Sequence, residues 1–93
     1  MNLLTLDHLA LSCEMLDAGT ALIANSFGIA PSPGGEHPAM GTHNTLLSLG
    51  SEIYFEVIAI NPDAGGPDRP RWFNIDNFEG PPRLTNWIVQ TPD

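Results

Sequence analysis

Two side chains with metal-binding chemistry lie in the middle of segments that read as strands. His8 lies in LLTLDHLALS and Glu56 in EIYFEVIAI. Strand side chains alternate between the two faces, so each of these residues shares a face with aliphatic neighbours. If the two strands are neighbours, an imidazole and a carboxylate meet in one cavity. That pair suits a divalent transition metal or general acid–base catalysis; the other interpretation is that His8 is a hydrogen-bonded core residue.

Four further polar residues are candidates for contacts with a ligand or with the backbone. His37 and His43 lie in GGEHPAMGTHN, where they are either catalytic or simply polar groups near the mouth of a cavity. Tyr54 can orient a ligand through its hydroxyl, or it is an ordinary half-buried tyrosine. Asn44 is expected to bond the backbone of its own loop.

The elements that must position these residues follow the order of one small α/β module. The apolar patterns predict a strand at 3–12, a helix at 14–27 and strands at 42–49 and 52–60. Gly28 is expected to end the helix, and Gly50 with Ser51 to form a tight hairpin turn. Segment 31–41 is rich in proline and glycine, so we expect at most a short edge strand at its start.

The end of the chain predicts the beginning of a repeat. Segment 61–82 is rich in Pro, Gly and Asp and reads as a linker or long loop, in which Trp72 and Phe73 either pack the loop down or form a substrate lid. The next segment, RLTNWIVQT, matches the first strand by residue class, and the match places Trp87 at the position of His8. We therefore predict a first module at 1–60, a loop at 61–82 and the first strand of a second module at 83–93. The rest of that module, or a second chain, is expected to complete the fold.

Composition excludes some partners. The 93 residues include three Arg, no Lys and eleven acidic residues, for a net charge of −8. A phosphate backbone needs a basic surface, so nucleic acid is excluded as an expected partner, and anionic membranes are disfavoured. Cys13 is the only cysteine, so we expect no intrachain disulfide, a buried apolar role and a cytoplasmic location. The polar residues that interrupt the N-terminal apolar run predict that it is not a signal peptide, and we expect no membrane span from the lengths of the apolar runs.

The segments LDHLALSC and GGEHPAMGTHNTLLSLGSEIYFEVIAI resemble the glyoxalase-like domain of the vicinal oxygen chelate superfamily. The resemblance covers residues 3–60, and more loosely the restart at Arg83. It implies an α+β fold, in which a β-α-β-β-β module with one packed helix pairs with a second module or a second chain. The paired modules form an open, curved mixed sheet around a cavity.

The resemblance also implies roles for the candidate residues. In metal-dependent members the first and fourth strands of each module supply ligands, which here are His8 and Glu56, with Glu56 as a ligand or the catalytic base. The implied cofactor is a divalent metal: Zn, Ni, Mn, Fe or Co. Trp87 cannot bind metal, so the ligand set from the second module is incomplete. His37, His43, Tyr54 and Trp87 are predicted to contact the substrate.

Three functions follow from this reading. The first is a metal-dependent lyase, isomerase or dioxygenase acting on a small oxygenated substrate. The second is a metal-free module that binds or sequesters a small molecule, as in bleomycin-resistance proteins, with Trp87 as stacking surface. The third is a dimerisation domain with a vestigial cavity. We expect a homodimer in each case, because an incomplete module exposes a sheet edge.

Overall fold

The computed structural model describes residues 4–64, 66 and 70–90, with the exception of the Trp72 side chain. The predicted strand positions at Leu3 and Thr91 lie outside the described residues. The elements are, in chain order, β1 (Thr5–Ser12), α1 (Leu16–Phe27), β2 (Ser32–His37), β3 (Thr42–Ser48), β4 (Tyr54–Ile60), a short 3₁₀ segment (Trp72–Asn77) and β5 (Arg83–Gln90).

The strands form one five-stranded mixed sheet in the order β2-β3-β4-β1-β5. β1 runs parallel to β4, and every other neighbouring pair is antiparallel. The sheet is open, with β2 and β5 at its edges. This β-α-β-β-β arrangement with one added strand confirms the predicted α+β module.

The helix packs on one face of the sheet and closes the apolar core. The core side chains come from α1 and from alternate positions of β1, β3 and β4: Leu11, Cys13, Ile23, Leu47, Phe55, Val57 and Ala59. Gly19 lets the helix approach closely, since an added Cβ would lie 2.6 Å from Cγ1 of Val57 and 2.7 Å from Sγ of Cys13. In the part of the chain that the structure describes, no helix is long and apolar enough to cross a membrane.

Cys13 is buried, as predicted, at 1% exposure. Burial raises the pKa of its thiol to about 11, which a backbone hydrogen bond from Gly19 only partly opposes. The thiol is therefore protonated at neutral pH.

The helix begins later than predicted and ends where predicted. Met15, expected inside the helix, has an extended backbone (φ −125°) and accepts the first turn's hydrogen bonds through its carbonyl. Gly28 follows the last helical residue with φ 71°, a left-handed conformation that glycine adopts without strain.

Two connections differ from expectation. The hairpin between β3 and β4 is not a two-residue turn at Gly50 and Ser51: residues 49–53 form the connection, which Leu49 N–H closes by donating to the carbonyl of Ile53. β2 runs through most of the Pro/Gly-rich segment. It is tolerated there because it is an edge strand, and its register against β3 shifts between Pro33 and Glu36.

Candidate functional site

The face of the sheet opposite the helix carries the candidate site. In the parallel pairing of β1 with β4, His8 lies beside Tyr54 and Ala10 lies beside Glu56. Residues paired across a sheet share a face, so His8 and Glu56 are diagonal neighbours on the uncovered side. The two predicted strands are therefore adjacent, which is the condition under which these side chains converge.

His8 lies between two carboxylates. Its Nε2 is 3.2 Å from Oε1 of Glu56, and its Nδ1 is 2.7 Å from Oδ2 of Asp7. The β1–β5 register shifts between Leu6 and His8, so Asp7 has no paired residue on β5. Such a bulge re-aims side chains, which explains how two consecutive strand residues come into contact. The Asp7 contact fixes the imidazole ring and leaves Nε2 directed at Glu56.

Tyr54 stacks against one face of the His8 ring. The ring centroids are 4.5 Å apart and the planes differ by 9°. Partial burial raises the pKa of Tyr54, and the negative charges of Asp7 and Glu56 raise it further. The phenol therefore stays protonated at neutral pH and remains a hydrogen-bond donor.

Asn44 on β3 holds the Glu56 carboxylate from the opposite side. Its Nδ2 donates to Oε2 of Glu56 at 2.7 Å and lies 3.0 Å from Nε2 of His37. Its Oδ1 accepts the backbone N–H of Gly35 at 2.8 Å. Asn44 thus bonds backbone as expected, but that of strand β2 rather than of a loop, and sequence reasoning missed the contact with Glu56. The alternation of β3, which places Asn44 on the Glu56 face, is the signal that could have found it.

Gly34 makes room for Asn44. An added Cβ at Gly34 would overlap Oδ1 of Asn44 and would lie 2.8 Å from the Asn44 carbonyl oxygen. A Cβ at the neighbouring Gly35 would meet nothing within 4 Å. Of the two consecutive glycines, only Gly34 is therefore required by the position of Asn44.

These residues open onto a pocket of about 490 Å³ on the uncovered face. The lining residues are His8, His37, Asn44, Leu46, Tyr54, Glu56, Phe73 and Ile88. Glu56 is buried at 7% exposure. Mostly apolar walls with a few convergent polar groups are typical of small-molecule sites.

The structure brings His8, Glu56, His37 and Tyr54 together but not His43 or Trp87. His43 lies in a separate pocket at the start of the helix, with Glu14, Asp17 and Ile60 among its neighbours. It belongs to the alternating set of β3 residues that faces α1.

Trp87 pairs with Leu9, so it lies on the helix side of the sheet, 76% exposed. The residue that pairs with His8 is Ile88, and it lines the Glu56 pocket. His8 and Trp87 therefore lie on opposite faces of the sheet, since a difference of one residue moves a side chain to the other face. Ile88, like Trp87, has no metal-binding atom.

The donor set for a metal is partial. Within the described residues, no group of three or more His, Cys, Asp or Glu side chains is arranged to hold a metal ion. His37 Nε2 lies 3.8 Å from Oε2 of Glu56, with the Asn44 amide between them. Two donors bound to one ion at about 2.1 Å lie roughly 3.0–3.4 Å apart in octahedral or tetrahedral geometry, and the 3.2 Å between His8 Nε2 and Glu56 Oε1 falls in that range.

Comparison with known families gives one match. The sequence model of the glyoxalase-like domain, a family of the vicinal oxygen chelate superfamily, matches residues 6–93. No curated protein and no solved structure matches the chain.

Proposed function

Because the chain belongs to the glyoxalase-like domain family of the vicinal oxygen chelate superfamily, we propose that it forms half of a small-molecule cavity with a divalent metal held by His8 and Glu56. The activity that fits this site is that of a lyase, an isomerase or a dioxygenase on a small oxygenated substrate. The observation that carries the proposal is the Asp7–His8–Glu56 series of contacts at the wall of the pocket.

His8 and Glu56 fit a borderline metal ion such as Zn²⁺, Ni²⁺, Mn²⁺, Fe²⁺ or Co²⁺. Imidazole nitrogen and carboxylate oxygen are common ligands of these ions. Asp7 accepts a hydrogen bond from Nδ1 of His8, the usual second contact of a metal-binding histidine. A bound metal would act as a Lewis acid that polarises substrate oxygens.

The side chains of this chain would bind the substrate and handle its protons. Glu56 is a metal ligand or, when it is released from the metal, the candidate base. Its Oε2 is held by Asn44, which leaves Oε1, on the His8 side, as the atom that binds the metal in the first case and accepts a proton in the second. The protonated Tyr54 hydroxyl and the His37 ring, both at the pocket wall, are candidates to orient the substrate.

The remaining half of the cavity would come from a second module or a second chain. β5 is an edge strand with exposed Leu84 and Trp87, and such an edge favours pairing. A homodimer at micromolar concentration is therefore part of the proposal, and a monomeric mass by light scattering would contradict it.

A metal titration tests the proposal. Chelator-treated protein is titrated with Zn²⁺, Ni²⁺, Co²⁺, Mn²⁺ and Fe²⁺ by calorimetry, beside His8→Ala and Glu56→Ala. His43→Ala is the matched control, because it removes a histidine from the other face of the sheet. We expect tight binding by the parent and by His43→Ala, and at least tenfold weaker binding by the two site variants. Equal binding by all four proteins would overturn the assigned ligands.

A metal-free binding module is the second candidate. The partial ligand set favours it, as do the apolar residues Leu46, Phe73 and Ile88 in the pocket wall. His8 and Glu56 would then serve only to hydrogen-bond each other and a ligand. The absence of metal binding by the folded parent, together with ligand binding in that pocket, would favour this function over the first.

A further inference from the structure

A second, more polar pocket lies beside the Glu56 pocket, and Phe73 lines both. It has a volume of about 470 Å³ and is lined by Phe73, Asn74, Asn77, Phe78, Arg83, Thr85 and Asn86. Among the described residues, its walls contain one arginine, three asparagines and no carboxylate, although the chain has eleven acidic residues and three arginines. The charged side chain of this pocket is therefore a cation, whereas its neighbour contains the carboxylate of Glu56.

Arg83 is held in place with hydrogen-bond donors to spare. Its guanidinium lies 4.2 Å above the ring of Phe78, and Nη1 donates to the carbonyl of Glu79 at 2.7 Å. A guanidinium carries five N–H donors, so most of them remain for a ligand. Among the residues that the structure describes, Arg83 has no carboxylate partner, whereas Arg71 is paired with Asp76. A stacked guanidinium is well suited to bind a carboxylate.

The strand register connects this pocket to the Glu56 site. Asn86 pairs with Ala10, one step along the sheet from the pair of Ile88 with His8. These pairs share the uncovered face, and two residues along a strand span about 7 Å. The Asn86 side chain makes no hydrogen bond to another described residue. The Asn86 amide is thus available two residues along the strand from the His8 pair, and Arg83, which pairs with Ser12, lies four residues along, at about 13 Å.

The wall between the two pockets has an unusual backbone. Phe73 and Asn74 have φ values of 61° and 54°, in the left-handed region that non-glycine residues rarely adopt. Strain of this kind is concentrated at ligand sites. Phe73, one of these two residues, borders both pockets.

We propose that this pocket binds the carboxylate end of a small molecule whose other end lies against His8 and Glu56. The assignment of the second end rests on the proposed function, and the anion site itself rests on Arg83, on Asn86 and on the absence of acidic side chains among the described residues of its walls. The substrate class is accordingly a small oxygenated acid with a carboxylate about 7–13 Å from its reacting end, the span from the Asn86 pair to the Arg83 pair along the strand. An apolar middle section would contact Phe73.

An NMR titration with benzoate and its neutral analogue benzamide tests the anion site. The two probes share their shape and differ in charge. In the ¹⁵N-labelled 93-residue chain, we expect benzoate to shift the Asn86 side-chain amide and Arg83 Nε–H signals, and to bind at least tenfold more tightly than benzamide. We expect Arg83→Gln to weaken benzoate binding at least tenfold and Asn86→Ala to weaken it severalfold. Arg71→Gln, which removes the arginine paired with Asp76, should bind benzoate as the parent does.

Zinc affinity, measured on the same samples, separates this inference from the proposed function. Parent-like zinc binding by Arg83→Gln, with loss of benzoate binding, supports the anion site. Equal binding of benzoate and benzamide, or benzoate binding unchanged in both Arg83→Gln and Asn86→Ala, would overturn the anion site while the metal proposal stands. If the parent does not bind zinc but still binds benzoate more tightly than benzamide, the metal proposal alone would be overturned.

Discussion

The two faces of the sheet are formed by the same strands but differ in the side chains that they bury. On the helix side, alternate residues of β1 and β4, such as Leu11, Phe55 and Val57, form an apolar core. On the other side, the residues between them include Ser12 and Glu56, which are as buried as the core but polar. Burying a carboxylate is unfavourable unless it is hydrogen-bonded, and here Asn44 donates to it. One face therefore carries the apolar core under the helix, and the other buries a hydrogen-bonded carboxylate beside the apolar side chains of Ala10 and Ile58.

The largest expected effect is a difference in stability between substitutions on the two faces. Phe55→Ala should lower the free energy of unfolding by about 3–5 kcal/mol, because it leaves a cavity under the helix. Glu56→Gln, one residue away on the opposite face, should change it by less than about 1 kcal/mol, since the amide oxygen can still accept the Asn44 hydrogen bond. Urea unfolding measures both changes. A loss of several kcal/mol in Glu56→Gln would show that the uncovered face also supports the fold.

The glycine pair on β2 gives the next largest contrast. Gly34→Ala should displace Asn44 and weaken metal binding severalfold, because its Cβ overlaps the Asn44 side chain. Gly35→Ala is the matched control: its Cβ meets nothing within 4 Å, and the backbone N–H that binds Asn44 is retained. Calorimetric titration with Zn²⁺ compares the two. Equal affinities would mean that Asn44 does not position Glu56.

Asn44→Ala tests the same contact with a smaller change. Removal of the amide leaves Oε2 of Glu56 without its 2.7 Å donor, so we expect severalfold weaker metal binding and a loss of about 1–2 kcal/mol in stability. Asn44→Asp places a second carboxylate beside Glu56 and should destabilise the metal-free protein more than Asn44→Ala, through repulsion between like charges. Added Zn²⁺ should reduce that difference. If the two variants are equally stable without metal, the carboxylates are not in contact.

Cys13 provides the smallest effect, on the helix side. Its thiol is buried and its pKa is raised to about 11, so in the native protein at pH 8 it should react with an aromatic disulfide reagent at least a hundredfold more slowly than in urea. Because the folded-state pKa lies above the unfolded value, this group makes stability fall as the pH rises above about 9. Cys13→Ala should flatten that decline in urea unfolding. Rapid native labelling would contradict the packing of the helix on the sheet.

The sequence was informative about features that local patterns determine, such as the alternation of side chains along a strand or the glycine after a helix. The alternation in β1 and β4 predicted correctly that His8 and Glu56 share the uncovered face, and Gly28 marked the end of the helix. The strand residue Asn44 was interpreted only through its loop contacts, because its bond to Glu56 depends on the pairing of β3 with β4.

The sequence was less informative about features that depend on how the strands pair, because pairing decides the face on which a side chain lies. Trp87 was assigned to the cavity from the match between the first and last strands, but its pairing with Leu9 places it on the helix side, and no residue pattern fixes that register. His43 was assigned to the cavity from its neighbours in sequence, yet a strand position facing the helix decides its location. The polar pocket at Arg83 was not predicted, since it forms where a loop meets β5.

X-ray absorption spectroscopy of the zinc-loaded protein identifies the ligands of the proposed metal ion. We expect a coordination shell that contains one imidazole nitrogen from this chain at about 2.0 Å, lost in His8→Ala and retained in His43→Ala. A shell that is unchanged in His8→Ala, or one that loses its imidazole signal in His43→Ala, would contradict the assignment of the metal to the uncovered face.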